Sequence, residues 1–164
     1  MKKLLNICGA VILILLVAAV LPLTVPKIFG LTPYNILSGS MEPEIPTNSV
    51  IYVKQCDTAQ LEVGDVITFK LGSGTDLAET HRIADIDKEN ALFTTKGDAN
   101  KNVDPTKVKA ENIIGKVVFH IPQYGKLADF INTSEGIAAC IAVFAAVLIM
   151  WLAADRIKPK ERTP

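Results

Sequence analysis

Histidine and cysteine are scarce in this chain of 164 residues, and neither sign of charge is in excess. With 2 histidines and no Cys-x-x-Cys pair, a zinc site has little to draw on. Of the 3 cysteines, Cys8 and Cys140 lie inside apolar runs, where a thiol behaves as a small hydrophobe, and Cys56 stands alone. That distribution excludes a disulfide framework. The 17 basic residues balance the 17 acidic ones, which argues against nucleic acid as a partner. Internal repeats and low-complexity segments are also missing. What the chain does have is apolar content, 49% of residues with a mean hydropathy of +0.32, concentrated at its two ends.

The first apolar run extends from Leu4 to Leu23, after Met1-Lys2-Lys3. About twenty helical residues at 1.5 Å each cross a hydrocarbon core of roughly 30 Å. A cleavable signal is the competing reading, with small residues at Val17-Ala18-Ala19, but the run is longer than a usual signal core. Pro22 and Pro26 are expected to end this helix. A second run, Ile137 to Ala154, has no polar side chain and reads as a span in preference to a buried core helix. Asn132 with Glu135 offers a capping-box-like start, a simpler account of Asn132-Thr133-Ser134 than a glycosylation acceptor.

Lys2 and Lys3 precede the first span, and Arg156, Lys158, Lys160 and Arg162 follow the second. Basic residues mark the cytoplasmic side, so both termini are expected there and the middle of the chain on the opposite face. The expected division is an anchor at 1–24, an extracytoplasmic domain at 25–134, a second span at 135–155 and a basic tail at 156–164. Lys158 to Pro164 reads as a disordered tail.

Within the middle region the pattern is β. Short β-branched and aromatic runs occur at 49–53, 65–69, 81–86, 92–96 and 113–119. Turn signals at Gly64-Asp65, Gly72-Ser73-Gly74, Lys88-Glu89-Asn90 and Gly97-Asp98 separate them. The expected fold class is mainly β: a small antiparallel barrel or sandwich flanked by two transmembrane helices.

The stretch Leu37-Ser38-Gly39-Ser40-Met41-Glu42-Pro43 places two serines in a loop. A serine becomes a nucleophile only when a base takes its proton and donors meet the oxyanion. Ser40 is the better candidate for nucleophile and Ser38 for a supporting hydroxyl, although residue types alone leave the two open. Candidate bases are His81, at the start of an expected strand after the polar turn Asp76 to Thr80, and His120, at the end of another. A desolvated Lys54, Lys70 or Lys96 is the alternative. The loop from Lys96 to Pro105 supplies Asp98 and Asp104, either of which could orient an imidazole. Its oxygen count also permits a calcium loop, but the spacing does not match an EF-hand. No cofactor is expected.

Four stretches together resemble type I signal peptidases in order and spacing: the Leu37–Pro43 loop, Gly64-Asp65-Val66-Ile67, His81-Arg82-Ile83, and Lys96-Gly97-Asp98-Ala99-Asn100 with Asp104. Phe119 to Gly125 is similar to the family's segment leading to the last span. The resemblance implies Ser40 as nucleophile, Ser38 at the oxyanion site, Asp104 as the acid of the triad and Asp98 as important nearby. The usual bacterial branch carries lysine at the base position, whereas His81 resembles the endoplasmic-reticulum, archaeal and sporulation-associated Gram-positive branch. The implied reaction is removal of signal peptides from membrane-tethered precursors after a small-x-small motif. Tyr34 to Leu37 and the strand around Ile83 are expected to line the cleft. The compact loop after Gly72 suggests a small prokaryotic enzyme, and any accessory subunits are not indicated by sequence. The competing readings are a Ser–Lys peptidase using Lys96 and a non-catalytic membrane-anchored scaffold or receptor.

Overall fold

The computed structural model describes residues 2–72 and 77–156. The expected turn at Gly72-Ser73-Gly74, with the compactness of its loop, and the tail from Lys158 lie largely outside those residues. Within the described residues the backbone forms two compact units that divide at Thr24/Val25 and Ala128/Asp129: the described residues of both ends make one, and those between make the other.

The first unit is helical. Helix α1 runs Lys2–Ile28 and helix α3 runs Ser134–Arg156, with the short helix α2 at Gly125–Ile131 before it. Both α1 and α3 are long and apolar enough to cross a membrane. They run antiparallel: Lys2 Nζ meets Asp155 Oδ1 at 3.1 Å, and Trp151 and Met150 occupy the space that a Cβ at Gly9 would need. The lysines that open α1 therefore sit beside the residues that close α3.

Pro22 and Pro26 do not end α1, contrary to expectation. A proline's φ is already helical and each one removes a single donor, so a strongly apolar helix can carry both. The helix stops instead at Gly30, whose φ of +72° lies in the left-handed region, with its N–H on the Lys27 carbonyl at 3.1 Å. The cap of α3 is also one residue later than expected. Thr133 Oγ1, not Asn132, accepts from Gly136 N at 3.0 Å.

The second unit is a seven-stranded antiparallel sheet, as the mainly β pattern implied. Its strands are β1 (Leu31–Asn35), β2 (Val50–Lys54), β3 (Val66–Lys70), β4 (Ala78–Asp87), β5 (Leu92–Lys96), β6 (Val108–Lys109) and β7 (Ile113–Ile121), in the order β1-β2-β7-β3-β4-β5-β6. Edge strand β1 was not expected, since it contains Pro33; an edge tolerates a residue with no ladder donor. β4 begins at Ala78, so His81 lies inside a strand and does not open one. Residues 78–80 are paired with β3, and Thr68 and Thr80 share a buried hydroxyl contact of 2.9 Å.

Alternation along the strands separates two cores. Leu61, Ile67, Phe69, Ile83, Phe93 and Val108 form one, and Ile36, Met41, Ile45, Ile51 and Val53 form the other. Register shifts at Tyr52/Val53, Thr68/Phe69 and Ile83/Asp85 are the places where the sheet can bend between them. Met41 and Ile45 belong to the loop after the two serines, so burial of their side chains ties that loop to the sheet.

Ile67 is fully buried at the centre of the first core. Ile67→Ala is expected to cost about 2–5 kcal/mol, read as a lower denaturation midpoint of the full chain in detergent micelles.

Candidate active site

The loop between β1 and β2 is held at both ends. Ile36 N donates to Ser49 O at 2.9 Å and Asn48 N donates to Ile36 O at 2.9 Å, while Glu42 N closes a turn on Gly39 O at 3.1 Å. Glu42 receives Thr47 Oγ1 at 2.9 Å and Thr47 N at 3.2 Å, and these bonds hold its carboxyl below the usual carboxylate range. At the apex, Ser38 Oγ and Ser40 Oγ lie 3.2 Å apart.

The turn after β5 docks on this loop. Ala99 N donates to Ser40 O at 2.9 Å. The approach requires a glycine at position 97, because a Cβ there would lie 2.6 Å from Ser40 O and 3.0 Å from His81 Nε2. Gly97 thus marks the point where the serine loop and the imidazole meet.

His81 is 2% exposed. Its Nδ1 lies 2.6 Å from Asp104 Oδ2, which also accepts Thr95 Oγ1 at 2.7 Å. An ionised carboxylate only accepts, so Nδ1 carries the proton and Nε2 presents a lone pair. Nε2 is buried and makes no hydrogen bond. Glu79 Oε1 lies 3.5 Å from it, a separation that qualifies as a charge contact without hydrogen-bond alignment. Phe69 stands edge-on to the ring, with centroids 6.3 Å apart.

Asp98 lies elsewhere. Its two oxygens accept Arg82 Nε at 2.8 Å and Arg82 Nη2 at 2.6 Å, and Arg82 Nη1 donates to Gly64 O at 2.8 Å. The bonds to Asp98 raise the pKa of the guanidinium above its usual value, against a smaller opposing effect of burial. Asp98 thus braces the turn that carries Gly97 and Ala99, and Asp104 is the carboxylate that meets the imidazole. His120 sits on β7 opposite Ile51 and lines a separate depression with Glu44 and Lys116. Lys96 lines a shallow depression with Arg82 and Asp98. Among the described residues, no lysine hydrogen-bonds to Ser38 or Ser40.

A cleft of about 210 Å³ opens beside the serines, lined by Tyr34 to Ser38 and Ser40 on one wall and by Ala78, Glu79 and Thr80 on the other. The strand around Ile83, expected as a wall, is β4, and its start at Ala78 to Thr80 lines the cleft while Ile83 itself does not. Ile83 is 1% exposed and packs in the first core, because the cleft lies at the start of β4. β5 pairs with β4 only from Arg82 onward, so among the described residues the edge of 78–81 away from β3 has no strand partner. A larger cavity of about 480 Å³, lined by Phe69, Glu79, Thr95 and Asp104 among others, lies beyond the imidazole and excludes both serines.

Thr95 and Glu79 were not singled out from sequence as site residues, and Arg82 and Gly97 entered only as members of the His81-Arg82-Ile83 and Lys96–Asn100 stretches, with no role given. Strand alternation could have found two of them: Glu79 shares a face with His81, and Arg82, the next residue, faces away.

A model of the family described as signal peptidase, peptidase S26, matches residues 7–96, a stretch that contains both serines and His81 and ends before Asp98 and Asp104. The Bacillus subtilis protein Signal peptidase I W is 50% identical over 91 residues, which is 54% of this chain and 47% of that protein. Signal peptidase complex catalytic subunit SEC11C from Homo sapiens and from Rattus norvegicus is 25% identical over 126 residues, 70% of this chain and 65% of each relative. The chain thus spans less than two thirds of the length of these curated relatives.

Two outcomes test the geometry. Gly97→Ala should push the Ser40 carbonyl off Ala99 N and raise amide exchange at Ala99 by at least about tenfold. Thr47→Val should return the Glu42 carboxyl towards its ordinary titration range, followed by NMR. The lowered value means that the contribution of Glu42 to stability is present above the usual carboxylate range and lost as pH falls through the lowered one.

Proposed function

Because the chain belongs to the signal peptidase family, peptidase S26, we propose that it is a membrane-bound serine endopeptidase that removes signal peptides from exported precursors. The observation that carries this reading is the buried His81, with Nδ1 on Asp104 at 2.6 Å and Nε2 unpaired beside the Ser40 loop.

In this reading Ser40 is the nucleophile and His81 the general base. Ser40 Oγ pairs with Ser38 Oγ before substrate arrives, and the reading requires it to leave that partner for Nε2. Catalytic hydrogen bonds commonly close only when substrate is bound. His81 takes the hydroxyl proton as Ser40 Oγ bonds to the scissile carbonyl carbon, and Asp104 stabilises the imidazolium. Ser38 Oγ, released from Ser40, donates to the oxyanion. Collapse of the tetrahedral adduct breaks the C–N bond, and the proton passes from Nε2 to the leaving amine. Water repeats the sequence on the acyl-enzyme and frees the signal peptide. Asp98 acts at one remove, by bracing the turn on which the Ser40 carbonyl rests.

Substrate form follows from the cleft. The unpaired edge of residues 78–81 can take an extended segment as an added strand. A volume of about 210 Å³ suits small side chains at alternate positions and excludes large ones by overpacking. We further place both termini in the cytoplasm and residues 25–134 on the other face, with 135–155 as the second span and 156 onward as the tail. Support comes from Lys2 beside Asp155, which brings the basic start of α1 and the end of α3 to one side. Both enzyme and precursor are then tethered to one bilayer, which raises their effective concentration. A lysine-based mechanism through Lys96 has no support in the contacts of the serine loop, and a scaffold role would leave the aligned His81–Asp104 pair without use.

Ser40→Ala is expected to abolish processing of a signal-peptide-bearing precursor by the full chain in phospholipid vesicles while membrane insertion is unchanged; retained cleavage overturns the reading. Asp104→Asn should lower kcat by about 10³–10⁴-fold, and Lys96→Ala should leave it within about twofold. A silent His81→Ala would instead identify lysine as the base.

A further inference from the structure

Glu79 is a carboxylate close to the reacting nitrogen with no role in the scheme above. Its Oε1 lies 3.5 Å from His81 Nε2, and the two side chains share one face of β4 because they are two residues apart. Its side chain is 37% exposed and lines both the cleft beside the serines and the larger cavity behind Asp104. The other charged groups around the imidazole are accounted for. Asp104 takes Nδ1, Arg82 and Asp98 neutralise each other, Glu42 is turned to Thr47, and β3 contributes the uncharged Phe69. Lys70 and Lys107 line the larger cavity with Glu79.

The contact is close without the alignment of a hydrogen bond. With the ring neutral and Nδ1–H on Asp104, Nε2 is an acceptor facing another acceptor. Once Ser40 Oγ has given its proton to Nε2, the ring is positively charged and the Glu79 carboxylate stands 3.5 Å from that nitrogen. The imidazolium then lies between two carboxylates, an arrangement that favours its charge.

We infer that Glu79 is a positioning residue for the base, a second carboxylate that stabilises the protonated form of His81 and sets the acid limit of the reaction. It strengthens His81 as a proton acceptor during attack by Ser40. The proton still leaves with the departing amine, so Glu79 is unchanged over a cycle. The inference rests on His81 acting as the base.

The test is Glu79→Gln, nearly isosteric and uncharged, with Glu79→Asp as the variant that keeps the charge. For precursor cleavage by the full chain in vesicles, the acid limb of kcat/KM is expected to move to lower pH by about one unit in Glu79→Gln. Its alkaline plateau should fall about threefold, as for a weaker base, with KM unchanged. Glu79→Asp should keep the limb near its original position. An NMR titration of the His81 ring, assigned against a His120→Gln variant, reads the same contact without cleavage, and its midpoint should fall in parallel. An unmoved limb and midpoint in Glu79→Gln, or equal shifts in both variants, would overturn the inference. A midpoint that moves in a wild-type background lacking cleavage would support the Glu79–His81 contact while removing the peptidase reading.

Discussion

One carboxylate oxygen organises the site. Asp104 Oδ2 accepts both His81 Nδ1 and Thr95 Oγ1, so a single acceptor joins β4, β5 and the loop beyond β5. Thr95 is fully buried, and Asp104 N returns to the Thr95 carbonyl at 2.8 Å. The loop is thereby folded back on the strand it left. That second bond fixes where the carboxylate stands, and the carboxylate fixes the ring. A buried imidazole with one nitrogen satisfied and the other empty is costly unless something arrives to use the empty position. The Ser40 loop is brought to that position by the missing side chain at Gly97 and by the burial of Met41 and Ile45.

The sheet supplies rigidity and one deliberate gap. β4 is paired along its length on one side or the other, yet its first residues have β3 alone, because β5 ends opposite Arg82. In the proposed reading, the gap is where the extended precursor adds. The same alternation divides labour along β4: Glu79 and His81 face the site, while Thr80 faces the Thr68 hydroxyl and Arg82 faces Asp98. Two acidic residues in one loop are thus kept in separate roles by adjacent residues of a neighbouring strand. One orients the ring and the other holds the turn.

Much of this was legible in the chain. Two apolar runs of membrane-spanning length, their basic flanks, five of the strands and the set of serine, histidine and aspartate all stand in the sequence, because period, purity and charge are local properties. Several elements were not. β1 carries a proline, β6 is two residues long, and α2 has too few turns to show a period. The helix stop at Gly30, in place of Pro22 or Pro26, follows from the cumulative apolarity of α1, which outweighs the loss of single donors.

The sequence by itself determined which groups were available: serine hydroxyls, an imidazole, two carboxylates and two apolar runs long enough to cross a membrane. Only the tertiary structure decided how they combine. Asp98 and Asp104 are six residues apart in one polar loop and chemically identical, so nothing local distinguishes them. The distinction arises because β4 presents His81 and Arg82 to opposite sides of the sheet, and each takes the carboxylate that the folded loop brings to its side. Glu79 was hidden for the same reason. Its place beside Nε2 depends on β4 beginning at Ala78, and that start is set by pairing with β3, where Ala78 stands opposite Lys70 and Glu79 opposite Phe69.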